Sequence, residues 1–281
     1  MTATIRLGLI GDNIRVSRAP ALHRLCGKMA GLDLSYDLLI PAAQGLEFDA
    51  LFERCLTTGM RGLNITLPYK EHVVPRLIID DSDIARIGAC NTVLFTDNGP
   101  KGYNTDFSAF ITAFRNRFGD RSPGRVVMFG AGGVGKAVAF ALKRLKAEEI
   151  ILIDPDRAKA QTLADAINAS KKGVSHAYSG TLADLPGIDG VVNCSPLGMV
   201  GYGGSAVPDG AFPACSWAFD AVYTPVDTPF SQQAMAAGAN FISGYELYYY
   251  QGVDAFEIFT GHPVSDHDYL RQALIRGADA A

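Results

Sequence analysis

The sequence has no apolar run approaching the roughly 18–20 residues that a membrane-crossing helix requires, so a membrane partner is not expected. Cysteine is sparse. Cys26, Cys55, Cys90, Cys194 and Cys215 are scattered, odd in number and never spaced C-x-x-C. Neither a disulfide frame nor a zinc site is expected, and reduced thiols fit a cytoplasmic location. His262 and His267 have no metal-ligand spacing around them, so no metal is expected. Neither sign of charge dominates: 25 basic against 29 acidic residues give a net charge of −4. That balance argues against nucleic acid as a partner. The opening MTATIRLGLIG lacks a small-residue cleavage pattern and reads as no signal peptide.

What is present is a globular pattern. Hydrophobic residues make up 48% and charged residues 19% of 281 positions, enough apolar surface for a packed core, and the length predicts two domains. Strand-like and helix-like segments alternate throughout, which predicts an α/β architecture. Ile5–Gly11, Leu34–Ile40 and Gly62–Thr66 read as strands, and Pro20–Ala30 and a stretch ending near Thr58 as helices. Pro68 is expected to open a further helix. Asp97-Asn98-Gly99 reads as a hairpin turn between two strands. Phe107, Phe110, Ile111, Phe114 and Phe118 recur at helical spacing and read as packing. The polar stretch Arg115–Arg125 reads as the entry to a second domain. Beyond it come strands at Val126–Phe129, Ile150–Asp154, Val174–Tyr178, Gly190–Asn193 and Phe219–Val222. Helices are expected at Val134–Lys146, at about Ala158–Ala169 and at Asp266–Gly277.

The strongest local signal is RVVMFGAGGVGKA. Gly130, Gly132 and Gly135 stand in a G-x-G-x-x-G frame after a β-branched strand and open a helix with an apolar face. Such a turn aims free backbone N–H groups at a pyrophosphate, so Gly130, Ala131, Gly132, Gly133, Val134 and Gly135 are candidate cofactor contacts. Asp154, at the end of the next strand, is placed to accept hydrogen bonds from a ribose. Its charge favours NAD over NADP, with Arg157 a nearby contact.

A second group of polar residues sits around strand ends in the first half: Ser17, Asn64, Thr66, Lys70, Asn91 and Asp106. They offer donors and acceptors to a small polyhydroxylated acid. In the first turn of a helix begun at Pro68, Lys70 would have its pKa lowered by the helix dipole, which suits proton exchange with a hydroxyl. Residue type alone favours the plainer reading, a solvated lysine on an exposed turn.

Taken together, VSRAPALH, NITLPYKE, GACNTV, GYNTD, GAGGVGKA, NCSPLGM, DAVYTPVDTPF and YYYQGVDAFEIFTG make the sequence resemble the shikimate/quinate dehydrogenase family over nearly its whole length. The resemblance implies an α/β substrate domain over residues 1–106 and 243–281 and a Rossmann-like NAD-binding domain over 107–242. It implies oxidation of a ring hydroxyl of shikimate, quinate or a related cyclic hydroxy acid. Lys70 and Asp106 would be the catalytic pair, with Ser17 and Tyr223 near the substrate carboxylate. Asn64, Thr66, Asn91 and Gln251 would hold ring hydroxyls. Asn193, Ser195, Pro196, Leu197, Gly198 and Met199, with Val222 and Gly244, would flank the nicotinamide. Assembly is left open between monomer and homodimer.

The sequence also departs from the family pattern. A second hydroxyl residue is replaced by Ala19, Phe107-Ser108-Ala109 stands where glycines are usual, and Asp154-Pro155-Asp156 replaces the Asn-Arg-Thr of NADP-using members. Gly244-Tyr245-Glu246-Leu247 stands where Met-Leu is common. A lost hydrogen bond to a carboxylate costs about 1.5–3 kcal/mol. These departures suggest a diverged subgroup. An aminoshikimate-type dehydrogenase and a weakly active dinucleotide sensor stay open as alternatives.

Overall fold

A computed structural model describes residues 4–169 and 175–277. The chain forms two compact units, one made of residues up to Thr105 together with those from Gln251 onward, the other of Asp106–Tyr250. The first unit contains β1 (Ile5–Ile10), α1 (Ala19–Met29), β2 (Leu34–Leu39), α2 (Phe48–Thr57), β3 (Gly62–Ile65), α3 (Ser82–Ile87), β4 (Thr92–Thr96) and β5 (Gly99–Tyr103). It ends with α9 (His267–Arg276). The second contains β6 (Arg125–Phe129), α5 (Gly133–Arg144), β7 (Glu149–Ile153), α6 (Arg157–Ala169), β8 (His176–Ser179), β9 (Gly190–Asn193), β10 (Trp217–Asp220), α7 (Pro229–Ala236) and β11 (Asn240–Ser243). Two helices carry the chain across the division: α4 (Thr105–Phe118) and α8 (Gly244–Thr260). The return falls inside a helix, at Gln251. Arg115–Arg125 lies wholly within the second unit rather than at its entry: its first residues finish α4 and its last begins β6.

The first unit is a mixed sheet in the order β2-β1-β3-β4-β5. β1 pairs parallel with β2 and β3, while β4 runs antiparallel to β3 and β5. Alternation along the strands fills both faces. Ile10, Leu63, Ile65, Val93 and Phe95 pack with Phe48, Leu51, Phe52 and Cys55 of α2. Leu7, Leu9 and Tyr36 face the other way, against Ala255 and Phe259 of α8. Gly62 is required there, because a Cβ would lie 2.5 Å from the Phe259 ring. The expected hairpin forms at 97–99, with Thr96 paired to Gly99 and Thr96 Oγ1 donating to the Gly99 carbonyl at 2.7 Å.

The second unit is a six-stranded parallel sheet in the order β11-β10-β9-β6-β7-β8. The order runs outward from β6 in both directions, so the crossovers on the two sides of β6 cover opposite faces, the doubly wound arrangement. On one face Val127, Ile151, Val191 and Ala218 pack with Phe230 and Ala234 of α7. On the other, the α4 aromatics meet β10: Phe110 lies 5.0 Å from Phe219, and Phe114 5.1 Å from Trp217, centroid to centroid. The aromatic stripe is packing, as expected.

Two strand ends differ from the sequence reading for a local reason. The strand expected at Phe219–Val222 closes at Asp220, because the Val222 N–H is taken by the Asp220 side chain at 3.0 Å and leaves the ladder. The strand expected to reach Asp154 closes at Ile153, and the Asp154 carboxylate turns back to other N–H groups. α5 stops at Arg144 rather than Lys146, and Lys146 takes the left-handed φ of 65°. The expected strand at Val174–Tyr178 begins outside the described residues; the described strand is His176–Ser179. No helix among the described residues is long and apolar enough to cross a membrane.

Candidate active site

In the first unit the pairing brings one set of chain ends to a single sheet edge. β1, β3 and β5 finish there and β4 starts there, since Asn64 pairs with Thr92 and Thr92 with Tyr103. The loop after β1 carries Ser17, the turn after β3 carries Thr66 and Lys70, and the residues flanking β4 and β5 include Asn91 and Thr105. β1 and β3 are held close at this edge: Thr66 N–H donates to the Ile10 carbonyl at 2.9 Å, and a Cβ on Gly11 would sit 2.3 Å from Thr66 Cγ2.

Lys70 is not in a helix. Residues after Pro68 form successive turns, with Tyr69 N–H on the Thr66 carbonyl and Val73 N–H on the Tyr69 carbonyl, ending in a short 3-10 turn at Val74–Arg76. The reason is Pro75, which has no N–H to give and whose ring would clash with the carbonyl four residues back. The dipole argument for Lys70 therefore falls. The solvated alternative falls as well, because Lys70 is only 8% exposed. Its own carbonyl is fixed by the Cys90 N–H at 2.8 Å.

Asn64 and Asn91 belong to one buried polar network. Tyr36 OH donates to Asn64 Oδ1 at 2.8 Å, and Asn64 Nδ2 donates to Thr92 Oγ1 at 3.0 Å and the Asn91 carbonyl at 3.2 Å. Asn91 Oδ1 accepts the Thr105 N–H at 2.8 Å, while its Nδ2 donates to Thr105 Oγ1 at 3.0 Å and Gln251 Oε1 at 3.3 Å. Asn64, Asn91 and Gln251 are thus brought together. Tyr36, Thr92 and Thr105 join them unforeseen. The inward alternation of β2 was the only signal for Tyr36. His23 stacks on Tyr36 at 4.6 Å, and burial pushes its pKa down to about 3, so it is neutral.

Ser17 Oγ accepts the Ala19 N–H at 3.3 Å. Arg18, adjacent to the missing hydroxyl at Ala19, donates from Nη2 to the Leu274 carbonyl of α9 at 2.8 Å. Asp106, 4% exposed, stands in the first turn of α4 immediately after Thr105.

The second unit has its own constellation at the carboxyl edge of the parallel sheet. β6 and β9 are neighbours from which the chain departs in opposite directions, a switch point of the kind where α/β sheets bind ligands. Gly130 has φ 96°, and a Cβ on it would lie 2.8 Å from the Cys194 and Ser195 backbone. A Cβ on Gly135 would meet the Gly130 carbonyl oxygen at 2.1 Å. These two glycines are needed for packing. At Gly132 a Cβ would meet nothing within 4 Å, and this N-cap of α5 makes no side-chain capping bond. The space above Gly132, with Gly133 and Val134 opening the first helical turn, is open to an anionic group.

Asp154 Oδ2 accepts the Ala131 N–H at 2.8 Å and its Oδ1 the Asp156 N–H at 2.9 Å. Asp156 in turn accepts the Ala158 and Lys159 N–H groups at the start of α6. Two carboxylates therefore stand beside the glycine turn, with Arg157 exposed next to them. Across the switch point, Asn193 Oδ1 accepts Ser195 N–H at 3.0 Å and Ser195 Oγ at 2.6 Å, and its Nδ2 reaches the Leu197 carbonyl at 3.2 Å. This holds Ser195, Pro196, Leu197, Gly198 and Met199 in a compact turn. Burial, Asp220 and Asp106 all push the Cys194 thiol far above its usual pKa, so it stays protonated. Val222 follows β10, Tyr223 stacks on Tyr248 at 5.1 Å, and Gly244 opens α8 where a Cβ would strike the Ala221 carbonyl oxygen at 2.5 Å.

Both units have counterparts among known proteins. Residues 9–93 match the family described as Shikimate dehydrogenase substrate binding domain. Residues 126–197 match the Saccharopine dehydrogenase NADP binding domain. The quinate/shikimate dehydrogenase (NAD(+)) of Corynebacterium efficiens is 38% identical over 265 residues, which cover 92% of this chain and 93% of the relative. The shikimate dehydrogenase (NADP(+)) of Pseudarthrobacter chlorophenolicus is 36% identical over 92% of this chain and 91% of its own length. Among solved structures, quinate dehydrogenase from Corynebacterium glutamicum in complex with NAD superposes with a TM-score of 0.88 at 34% identity, covering 97% of this chain and 99% of that one. Identity at this level across nearly the full length of both proteins means that the chain belongs to the shikimate/quinate dehydrogenase family.

Proposed function

We propose that the protein is an NAD-dependent dehydrogenase that oxidises a ring hydroxyl of quinate, shikimate or a closely related cyclic hydroxy acid, reversibly giving the 3-dehydro acid. The observation that carries the cofactor reading is the pair of carboxylates, Asp154 and Asp156, beside the open space at Gly132. Both would repel the 2′-phosphate of NADP, which carries about −1.5 to −2 charges, judged from phosphate monoesters. Asp156 already accepts the first N–H groups of α6, the donors such a phosphate would otherwise use.

NAD, when bound, would supply the hydride acceptor. The chain supplies the rest. The α5 N-terminus and the 130–135 turn receive the pyrophosphate, Asp154 receives the adenosine ribose, and residues 193–199, Val222 and Gly244 bound the nicotinamide end. In the first unit Ser17 takes the substrate carboxylate, and Thr66, Asn64, Asn91 and Gln251 align the ring hydroxyls. As the C–H pair leaves as hydride, the O–H proton passes to Lys70, and Asp106 is the carboxylate that orients that ammonium. Burial of Lys70 keeps bulk water from competing for this proton. The enzyme works on freely diffusing small molecules, as a monomer or homodimer in the cytoplasm. The cytoplasmic assignment rests on the sparse, unpatterned cysteines of the sequence.

Incubation with NAD and each acid separately, followed by identification of the product, tests the reading. A 3-dehydro acid formed in step with NADH supports it. NADH formed from neither quinate nor shikimate rejects it.

A further inference from the structure

One buried carboxylate ties together three segments at the exit of the second sheet. Asp220 ends β10 and is 0% exposed. Its Oδ1 accepts Asn193 Nδ2 at 2.9 Å and the Val222 N–H at 3.0 Å, and its Oδ2 accepts Thr228 Oγ1 at 2.5 Å. Thr228, also 0% exposed, accepts the Ser231 N–H at 3.0 Å and so caps α7. Asn193 is equally buried, and its other amide atom holds the Ser195 N–H and hydroxyl. Among the described residues no cation is paired with Asp220; its charge is met by hydrogen bonds alone, and burial pushes its pKa up to about 6. A buried carboxylate costs free energy unless its donors are good, and here every donor belongs to a segment that bounds the proposed nicotinamide end.

We propose that Asp220 is a positioning residue: through Asn193, Val222 and Thr228 it sets the 193–199 turn and the 221–228 loop against which the nicotinamide end of the cofactor lies, without touching cofactor or substrate itself. This rests on the cofactor reading above. Ser195 and Leu197 are oriented by Asn193, Asn193 is oriented by Asp220, and the same carboxylate fixes where the chain leaves β10. Removing it releases both walls at once. The substrate residues of the first unit are held by a separate network centred on Asn91 and are not addressed by it.

The test compares Asp220→Ala, Asp220→Asn and Thr228→Val by NAD calorimetry and steady-state kinetics. Asn preserves shape: its oxygen keeps the two N–H donors and its NH₂ reaches Thr228 Oγ1. Expected for Asp220→Ala is a rise of about tenfold or more in the NAD dissociation constant and a fall in kcat, with the KM for the ring acid within about threefold of wild type. Asp220→Asn is expected to restore most of the NAD affinity. Thr228→Val, which leaves the carboxylate and its two N–H donors, is expected to fall between them and serves if the alanine variant does not fold. A merely structural carboxylate would lower the melting temperature and leave the NAD constant and kcat of the folded fraction unchanged; that result overturns the proposal. So does a ring-acid KM that rises in step with the NAD constant. Wild-type protein that binds no NAD overturns the functional reading itself, and this inference with it.

Discussion

Lys70 is where the residue scale decides most. Its burial within a series of turns, rather than in a helix, removes the dipole as a source of acid–base tuning and leaves shielding from water as the physical basis of its role. The proposed function has Lys70 act on the reacting hydroxyl and not on the cofactor's phosphates. Lys70→Ala is accordingly expected to lower kcat by about a hundredfold or more, within the usual range for a general acid–base group, while calorimetric NAD affinity stays near wild type. A kcat within a few-fold of wild type would remove Lys70 from the chemistry. Ala19 gives the complementary prediction. Among the described residues Ser17 Oγ is engaged by a long 3.3 Å bond from the Ala19 N–H, and Arg18 donates to the α9 carbonyl of Leu274. Ala19→Ser restores a hydroxyl beside Ser17 and is expected to lower the KM for quinate or shikimate by about tenfold, the equivalent of about 1.4 kcal/mol. An unchanged KM would place the carboxylate elsewhere.

At the scale of elements, the exits of β9 and β10 and the start of α7 share the charge of Asp220, and this has a measurable pH signature. Its pKa lies near 6 in the folded protein, above the ordinary carboxylate range, so between about pH 4 and 6 the native state binds more protons than the unfolded chain. Its contribution to stability is therefore fully present at the acid end and is lost as pH rises toward 6, by about 2–3 kcal/mol at most. His23, pushed down to about 3, bends the wild-type profile the other way: it loses stability as pH falls below its unfolded value. The informative quantity is thus the difference between Asp220→Asn and wild type at each pH. Urea unfolding is expected to show the variant gaining on wild type from pH 4 to 6 and running parallel above that. A difference that is flat with pH would mean that Asp220 is not buried as a charge.

For the whole molecule, the proposed function gives the two units separate tasks: the parallel sheet carries the proposed cofactor residues and the mixed sheet most of the proposed substrate residues, with α4 and α8 carrying the chain between them. Much of this was legible in the sequence because the signals were local. The glycine frame, the β-branched strand before it and the aromatic stripe of α4 each need only neighbouring residues to be read. What escaped depended on distant partners. Pro75 cancelled the helix expected from Pro68. The carboxylate of Asp220 closed a strand two residues early by capturing an N–H. Tyr36 joined Asn64 only because β2 and β3 flank β1. None of these has a spacing rule. If the division of tasks holds, NAD should raise the melting temperature of the protein without any ring acid, in a saturable way worth about 2.7 kcal/mol at a hundredfold excess over its dissociation constant. Equal concentrations of NADP should do much less. Equal shifts from both would contradict the role given to Asp154 and Asp156.

The most direct test of the central claim is a matrix of kcat/KM values for quinate, shikimate and aminoshikimate, each with NAD and with NADP. The account predicts turnover of quinate or shikimate at least about tenfold more efficient with NAD than with NADP, the discrimination expected from about 1.4 kcal/mol of charge repulsion at Asp154 and Asp156. A preference for NADP, or turnover with none of the three acids by a protein that still binds NAD, would contradict it.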